Sequence, residues 1–336
     1  MKKKTKKEEL HEALLWHKER NGVRCDLCAV NCFISKEKIG SCLVRKNIDN
    51  RLFTTNTKVA ALAVDNVERR PLYHFYPGSK SLSISGTGDV NWIISHDRLA
   101  KNDRDYTPEQ IVKIAEKENI PAISYTYFEP TIFFEYVYRV AKLAHRSNIK
   151  NIFVTNGLIT EEAVKKVSKY LDAAVVNVKG SGDDEVARKF SLMKDSDNVF
   201  RVLKQFKKQR LHLEITNTII PQIGDDVEKA RKLAEWIAHE ISPTVPLHVL
   251  QFHPDDRFQD IPFTPISTLE QMADVSNRSG LRYVYIGNAI QPHEKENTYC
   301  YNCRQLLISR VSGNLKKNTM QKDRCGNCDM KIDIVV

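Results

Sequence analysis

Strand-like and helix-like segments alternate along the middle of this chain, and the alternation limits the fold more than any other sequence feature. Runs rich in Val and Ile, at 151–155, 173–178 and 211–219, are each followed by an amphipathic segment. The strands recur roughly every 30 residues, which is the size of a βα repeat. Parallel strands buried on both faces have this composition. Residues 57–292 are therefore predicted to form an α/β domain, a partial or full (β/α) barrel, with an open doubly wound sheet as the alternative.

One loop of this domain has the form of a binding site but few reactive groups. The strand predicted at 82–84 runs into Gly86-Thr87-Gly88, and glycine lets a backbone approach a ligand closely. In barrels, the loops that follow the strands carry the chemistry. The segment 82–95, however, contains no cysteine and no histidine, and Asp89 is its one carboxylate.

Two helix starts are predicted from local signals. Thr107-Pro108-Glu109-Gln110 combines an N-cap threonine, a proline at the first helical position and a glutamine that closes a capping box. This pattern predicts a helix that ends near residue 119. At the N-terminus, Leu10, Leu14 and Leu15 have helical spacing, which predicts a short amphipathic helix over 8–20.

The eight cysteines fall into two groups of four that flank the domain: Cys25, Cys28, Cys32 and Cys42, then Cys300, Cys303, Cys325 and Cys328. The second group has two C-x2-C pairs about twenty residues apart, which predicts a zinc ribbon over 293–336. Gly326 is expected to supply a positive φ in the second pair. The first group predicts a metal module over 1–56. Four thiolates suit either zinc or a [4Fe–4S] cluster, and the choice stays open here.

The net charge of +10 favours a polyanionic partner such as RNA or a ribosome surface. A lysine-rich start at 2–7 and basic clusters at 204–210 and 316–324 contribute to it. A protein partner stays open as well. No apolar run approaches the roughly 20 residues that span a bilayer, so no membrane role is expected. The basic N-terminus has no apolar segment behind it, which predicts a cytoplasmic protein.

Several long segments resemble the radical SAM proteins of the AmmeMemoRadiSam system, which are relatives of pyruvate formate-lyase activating enzyme. The resemblance covers 25–336, and the segments that carry it are SYTYFEPTIFFEY (124–136), NIFVTNG (151–157), VVNVKG (175–180), TIIP (218–221), FHPD (252–255), RYVYIGN (282–288) and HEKENTYCYNC (293–303).

The resemblance implies a partial (β/α)6-type barrel that carries a [4Fe–4S] cluster on a C-x3-C-x2-C loop and cleaves S-adenosylmethionine to a 5′-deoxyadenosyl radical. It also implies five cofactor-binding positions. Glu129 falls where the family contacts the methionine amino group. Asn156 and Gly157 fall at the end of the next strand, and Lys179 falls at the strand end of the fourth unit. Asn177 stands where relatives have aspartate.

The main departure from the family is the cluster loop, which is missing between Gly88 and Asn91. Asp89-Val90 stands where relatives have about nine residues rich in cysteine, and one carboxylate does not replace three thiolates. The sequence therefore predicts a degenerate radical SAM fold. Such a protein would be a non-catalytic metal-binding scaffold or an RNA- or ribosome-associated protein that binds S-adenosylmethionine weakly or not at all.

Two enzymatic alternatives remain at this point. The first is an active radical SAM enzyme whose cluster is held by Cys25, Cys28 and Cys32, folded over the mouth of the barrel. The second is an enzyme that binds S-adenosylmethionine for a reaction without radicals, through Glu129, Asn156 and Lys179.

Overall fold

The computed structural model describes residues 10–86, 105–191, 193–255 and 258–336. The segment 88–91, where the sequence predicts that the cluster loop is missing, lies outside the described residues, as does the lysine-rich start at 2–7. No helix in the part of the chain that the structure describes is long and apolar enough to cross a bilayer.

The N-terminal residues form two small antiparallel sheets, each of three strands. The strands are β1 (His11–Glu12), β2 (Trp16–Glu19), β3 (Gly22–Cys25), β4 (Phe33–Ser35), β5 (Arg45–Ile48) and β6 (Arg51–Thr54). One sheet has the order β2-β3-β4 and the other β1-β6-β5. We call residues 10–56 the N-terminal module.

The helix predicted over 8–20 is wrong, because the described part of this segment forms β1 and β2. His11 pairs with Thr54, and Trp16 pairs with Cys25, in antiparallel registers. Leu15 has φ 57, which no right-handed helix accommodates. The leucines are spaced as in a helix, but the cross-strand partners that decide the structure lie farther along the chain.

The central element is a sheet of eight strands whose spatial order follows the chain. The strands are β7 (Val59–Asn66), β8 (Lys80–Gly86), β9 (Ala122–Tyr125), β10 (Lys150–Thr155), β11 (Ala173–Lys179), β12 (His212–Ile219), β13 (Leu247–Gln251) and β14 (Val284–Gly287). The pairing of β7 with β8 is antiparallel, and all the later pairings are parallel. The order never reverses, whereas a doubly wound sheet requires such a reversal.

Helices connect the parallel strands and cover the sheet. They are α1 (Pro108–Lys117), α2 (Phe134–Arg146), α3 (Glu161–Val167), α4 (Asp184–Ser191), α5 (Asp197–Lys208), α6 (Val227–Trp236) and α7 (Ile266–Arg278). The capping box predicted at the start of α1 is confirmed, since the Thr107 side chain accepts from the Gln110 N–H and the Gln110 side chain accepts from the Thr107 N–H. Every residue of β9 and of β13 is buried, as expected for strands covered on both faces.

The C-terminal residues form an antiparallel sheet of β15 (Thr298–Tyr299), β16 (Leu306–Val311) and β17 (Asn314–Asn318). We call residues 293–336 the C-terminal module. It packs on the amino edge of the central sheet, where the parallel strands begin. The buried residues of this interface are Tyr73, Tyr283, Tyr285, Cys300, Leu307, Ile308, Cys325 and Ile332.

A buried carboxylate organises the amino edge. Glu214, near the start of β12, is fully buried and accepts hydrogen bonds from the backbone N–H groups of Tyr73 and His74 at 3.0 and 2.7 Å. Its carboxylate also contacts the Nε2 atoms of His212 and His248 at 3.0 and 2.7 Å. Burial raises the pKa of Glu214, but the hydrogen bonds from the two histidines outweigh it and hold that pKa well below its usual value. The carboxylate therefore stays ionised inside the fold.

Candidate metal centres

The C-terminal module brings its four cysteine sulfurs into one compact group. The Sγ atoms of Cys300 and Cys328 lie 3.7 Å apart, and those of Cys303 and Cys325 are also 3.7 Å apart. A tetrahedral ion with metal–sulfur bonds of about 2.3 Å has sulfur–sulfur edges of about 3.8 Å. The geometry therefore fits a single ion held by four thiolates.

Each cysteine pair of this group sits on a tight turn. Arg304 and Asp329, which directly follow the second cysteine of each pair, have φ 62 and φ 57. Gly326, which the sequence predicts to supply the positive φ, is not in that conformation. The residue with positive φ therefore follows each C-x2-C pair and does not lie within it. Residues other than glycine adopt this conformation in turns.

Hydrogen bonds already favour the charged form of one of these thiols. The Asn327 side-chain amide donates to Cys303 Sγ at 3.5 Å, and this bond lowers the pKa of Cys303 to about 6. A thiol that ionises near neutral pH loses its proton at little cost in free energy when a metal binds.

The N-terminal cysteines are arranged differently. All four line one cavity, together with apolar side chains and Arg45; the apolar residues are Leu27, Val30, Ile34, Ile132 and Leu158. Among the described residues, the C-terminal four are the only group of three or more Cys, His, Asp or Glu side chains whose ligand atoms all lie within 4.8 Å of one another. The N-terminal sulfurs are therefore spread more widely around their cavity.

This cavity lies against the carboxyl edge of the central sheet, where the parallel strands end. The Ala29 N–H donates to the Leu158 carbonyl at 2.8 Å, and the Thr160 N–H donates to the Leu27 carbonyl at 3.0 Å. Leu158 and Thr160 belong to the loop after β10. Ile132, from the loop after β9, also lines the cavity. The N-terminal module and two strand-end loops thus build the cavity jointly.

A buried arginine stands beside one of the N-terminal thiols. The Arg45 side chain is 1% exposed, and its Nη1 donates to Cys25 Sγ at 3.4 Å and to the Leu14 carbonyl at 2.9 Å. Its Nη2 pairs with the Glu135 carboxylate at the start of α2. Glu135 also accepts from the Leu14 N–H at 2.7 Å. A permanent positive charge is therefore held next to the sulfur of Cys25.

Glu129, the first cofactor position implied by the resemblance, is buried, and its carboxylate is bonded within the loops after β9 and β10. One of its oxygens accepts from the Thr155 hydroxyl at 2.7 Å and from the Thr131 N–H and hydroxyl. The other accepts from the Asn156 N–H at 2.8 Å. Burial raises the pKa of Glu129, and these hydrogen bonds oppose the rise. The carboxylate joins the loops after β9 and β10, and it is 3% exposed.

The structure brings three of the five cofactor positions together. Asn156 and Gly157 directly follow β10, next to Glu129. Gly157 has φ 80, and a Cβ there would lie 3.0 Å from a methyl of Val199. The other two positions lie on β11 with separate partners. Asn177 accepts from the Thr218 hydroxyl at 3.3 Å, and the Lys179 ammonium donates to the Phe190 carbonyl at 2.8 Å.

Comparison with known proteins identifies a domain and a relative of this chain. Residues 88–237 match the model of the radical SAM superfamily. This chain carries a radical SAM domain. It is also 37% identical over 341 residues to an uncharacterized protein of Methanocaldococcus jannaschii, with 97% of this chain and 100% of that protein aligned, and it belongs to the same family as that protein.

Solved structures with a similar fold include two radical SAM proteins. A radical SAM methyltransferase from Sphaerobacter thermophilus has a TM-score of 0.48 and 12% identity, and 72% of each chain is covered. A domain of pyruvate-formate lyase-activating enzyme from Bacteroides vulgatus has a TM-score of 0.42 and 18% identity, and the match covers 49% of this chain and 97% of that one.

The segment that matches the radical SAM domain contains no cysteine. The chain has none between Cys42 and Cys300, so all eight thiols lie outside the matched residues. The residues present in this domain therefore do not fit an iron–sulfur cluster on the loop after its first strand, because such a cluster is held by cysteine thiolates.

Sequence reasoning missed the polar residues that support these sites. Arg45 follows Cys42 closely, and a cation beside a cysteine group was the one available signal. Glu135 and Glu214 gave none, because a single carboxylate in a helix or strand pattern is usually exposed. His74 also gave no signal, and it is fully buried, with both ring nitrogens in hydrogen bonds.

Proposed function

We propose that this protein is a degenerate radical SAM barrel that does not cleave S-adenosylmethionine and that works as a metal-binding scaffold. One observation carries the proposal: every cysteine lies in the flanking modules, and none lies in residues 43–299. Reductive cleavage of the sulfonium needs a cluster with an open iron, and the matched domain supplies no thiolate for it. The resemblance to the AmmeMemoRadiSam radical SAM proteins gives the subfamily that we propose.

The state of Glu129 supports this reading. A carboxylate that binds an ammonium group must present an oxygen to the ligand. Both oxygens of Glu129 already accept hydrogen bonds from Thr155 and Asn156, and the side chain is buried. Any binding of S-adenosylmethionine at this edge would be weak, because it would lack both the iron and a free carboxylate.

We further propose that the C-terminal module is a zinc ribbon. Two of the sulfur–sulfur distances are 3.7 Å, and all four sulfurs lie within 4.8 Å of one another, which fits the tetrahedron that zinc prefers. A buried apolar interface ties the module to the amino edge of the sheet. The cytoplasmic location stays a prediction of the sequence.

The test is a cleavage assay under anaerobic conditions. The protein would be reconstituted with ferrous iron and sulfide, reduced with dithionite and incubated with S-adenosylmethionine, and 5′-deoxyadenosine would be measured by mass spectrometry. We expect no product above the protein-free control. Product that exceeds the control and rises with protein concentration would overturn the proposal.

Two variants make the assay decisive. If product forms and is lost in Cys28→Ser but retained in Cys325→Ser, the enzyme with a displaced N-terminal cluster is the correct reading.

Titration calorimetry with S-adenosylmethionine and S-adenosylhomocysteine tests the reading without radicals. Tight binding that Lys179→Ala weakens would support that reading and contradict a scaffold role.

The C-terminal module favours RNA as the partner of this scaffold. Its outer strand β17 carries Lys316 and Lys317, both exposed, and neither has a carboxylate within 4.0 Å among the described residues. Arg324 and Lys331, in contrast, pair with Asp329 and Asp323. Unpaired lysines on an open strand edge are free to contact phosphates.

The RNA proposal is tested by fluorescence anisotropy with a labelled RNA at low and moderate salt. We expect an affinity that falls steeply with salt and that drops at least several-fold in Lys316→Glu/Lys317→Glu. Lys207→Glu/Lys208→Glu changes the net charge equally on another surface and serves as the control. Equal losses in the two variants would show unspecific attraction, and no binding would exclude the role.

A further inference from the structure

We propose that the N-terminal module binds a [4Fe–4S] cluster on Cys25, Cys28, Cys32 and Cys42, and that this cluster sits at the carboxyl edge of the sheet. The sequence left zinc and iron–sulfur open at this site, and three structural observations favour the cluster. The inference is independent of whether the radical SAM domain is catalytic. It concerns a centre ligated by four thiolates, with no iron left open for a substrate.

The first observation is the spacing of the sulfurs. One zinc ion draws four thiolates to edges of about 3.8 Å, and the C-terminal module shows this spacing. A cubane binds each thiolate through a different iron, so its four ligands stand farther apart around a larger core. The N-terminal sulfurs surround one cavity, yet no three of them lie within 4.8 Å of one another. The two cysteine groups of one chain therefore differ in spacing, and the N-terminal sulfurs are not drawn together to the edges of a single zinc tetrahedron.

The second observation is the apolar lining. Five aliphatic side chains fill the spaces between the cysteines around the cavity. Two of them, Ile132 and Leu158, come from the loops of the central sheet and not from the module itself. A dry hydrophobic shell protects bridging sulfide from water and is one of the means by which proteins tune a cluster.

The third observation is a hydrogen bond to one of the ligand sulfurs. A cubane with four thiolates is an anion, and its negative charge grows on reduction. The buried Arg45 guanidinium donates to the sulfur of Cys25 at 3.4 Å, while Glu135 compensates its charge. Hydrogen bonds to ligand sulfurs raise the reduction potential of a cluster. We therefore expect a centre that accepts one electron from dithionite.

The test is metal analysis and spectroscopy of the full chain prepared without oxygen. After reconstitution with ferrous iron and sulfide, we expect about four irons and four sulfides per chain besides one zinc. Visible absorption should bleach on addition of dithionite, and a cluster signal should appear in electron paramagnetic resonance. Two zinc ions per chain with no bound iron would overturn the inference.

Matched variants assign each metal to its module. Cys32→Ser should remove iron and sulfide and keep zinc, whereas Cys303→Ser should remove zinc and keep the cluster. Cys32 and Cys303 are each partly exposed, so we expect both variants to fold. Iron retained in full by Cys32→Ser and by Cys28→Ser would contradict the assignment. If neither variant folds, Mössbauer spectra of the wild-type protein decide between a cubane and adventitious iron.

The failure of this inference is distinguishable from that of the scaffold proposal. A chain with two zinc ions and no product from S-adenosylmethionine would contradict the cluster alone. A chain with the cluster that binds S-adenosylmethionine tightly, with binding that Lys179→Ala weakens, would contradict the scaffold role alone. Cleavage of S-adenosylmethionine would contradict both, because it needs an iron that the fourth thiolate leaves open. The two readouts, metal content and 5′-deoxyadenosine, are separate measurements on the same preparation.

Discussion

Arg45 and Glu135 form a buried ion pair that joins the N-terminal module to the start of α2, across 90 positions of sequence. Their side chains are 1% and 11% exposed. Breaking such a pair by removing one partner leaves a buried charge without compensation. The orientation of the module on the carboxyl edge therefore depends on both residues.

We predict that Glu135→Ala lowers the free energy of unfolding by about 3–5 kcal/mol, because it leaves the Arg45 guanidinium buried and unpaired. Urea denaturation followed by circular dichroism measures this loss. Glu12→Ala is the matched control, since it breaks an exposed pair with Arg51 and should cost less than about 1 kcal/mol. Equal costs in the two variants would show that the buried pair does not hold the module.

We predict that stability falls on acidification through His74. Burial lowers the pKa of His74 to about 4, although the Glu214 charge opposes the shift and His212 and Arg310 also act on it. The folded pKa lies below the unfolded value of 6.5, so folding excludes a proton. The stabilisation is complete above about pH 6.5, and about 3 kcal/mol of it is lost as the pH falls toward 4.

Urea unfolding at several pH values tests this expectation. In His74→Gln the loss between about pH 6.5 and 4 should be smaller, because the group that takes up the proton is absent. Glu214 contributes in the same direction, since its pKa is lowered and protonation at acid pH breaks its bonds to His212 and His248. Identical pH profiles for the wild type and the variant would rule out His74 as a source of the acid sensitivity.

We predict that Thr107→Ala destabilises the protein by about 1 kcal/mol, through loss of the side-chain cap on α1. Thr107 Oγ1 accepts from the Gln110 N–H at 3.3 Å, and no alanine atom replaces it. Thr107→Ser keeps the hydroxyl and should recover most of the loss. Thermal unfolding measures both, and an equal drop in the two variants would indicate that the methyl group matters and not the cap.

We predict that removal of the metal from the C-terminal module loosens that module and leaves the rest of the sheet folded. Cys300 and Cys325 lie inside the apolar interface with Tyr73 and Tyr283, so their release uncovers it. Limited proteolysis after treatment with a strong chelator should cut within 298–336 first, and added zinc should restore protection. Cleavage that starts in α5 or α6 instead would contradict this order.

Much of the central fold follows from local sequence. Thr107 and Gln110 close the predicted capping box, and β10, β11 and β12 lie where runs of Val and Ile predict strands. These elements agree with prediction because hydrophobic period and caps act within a few residues. The short helix α4 was not predicted.

The candidate sites depend on contacts that one sequence does not reveal. Cysteine spacing predicted two metal groups, but it did not predict that Leu158 and Ile132 would enclose one of them. Nor did it show that both oxygens of Glu129 accept hydrogen bonds, from Thr155 and Asn156 among others. These contacts join loops that follow different strands, and the folded sheet alone brings them together.

The two cysteine modules close opposite ends of one sheet. The N-terminal module covers the ends of β9 and β10, and the C-terminal module covers the beginnings of β12, β13 and β14. Each module is therefore held to the sheet at one edge only, and loss of the metal proposed for one module would expose that edge while the opposite module stays in place.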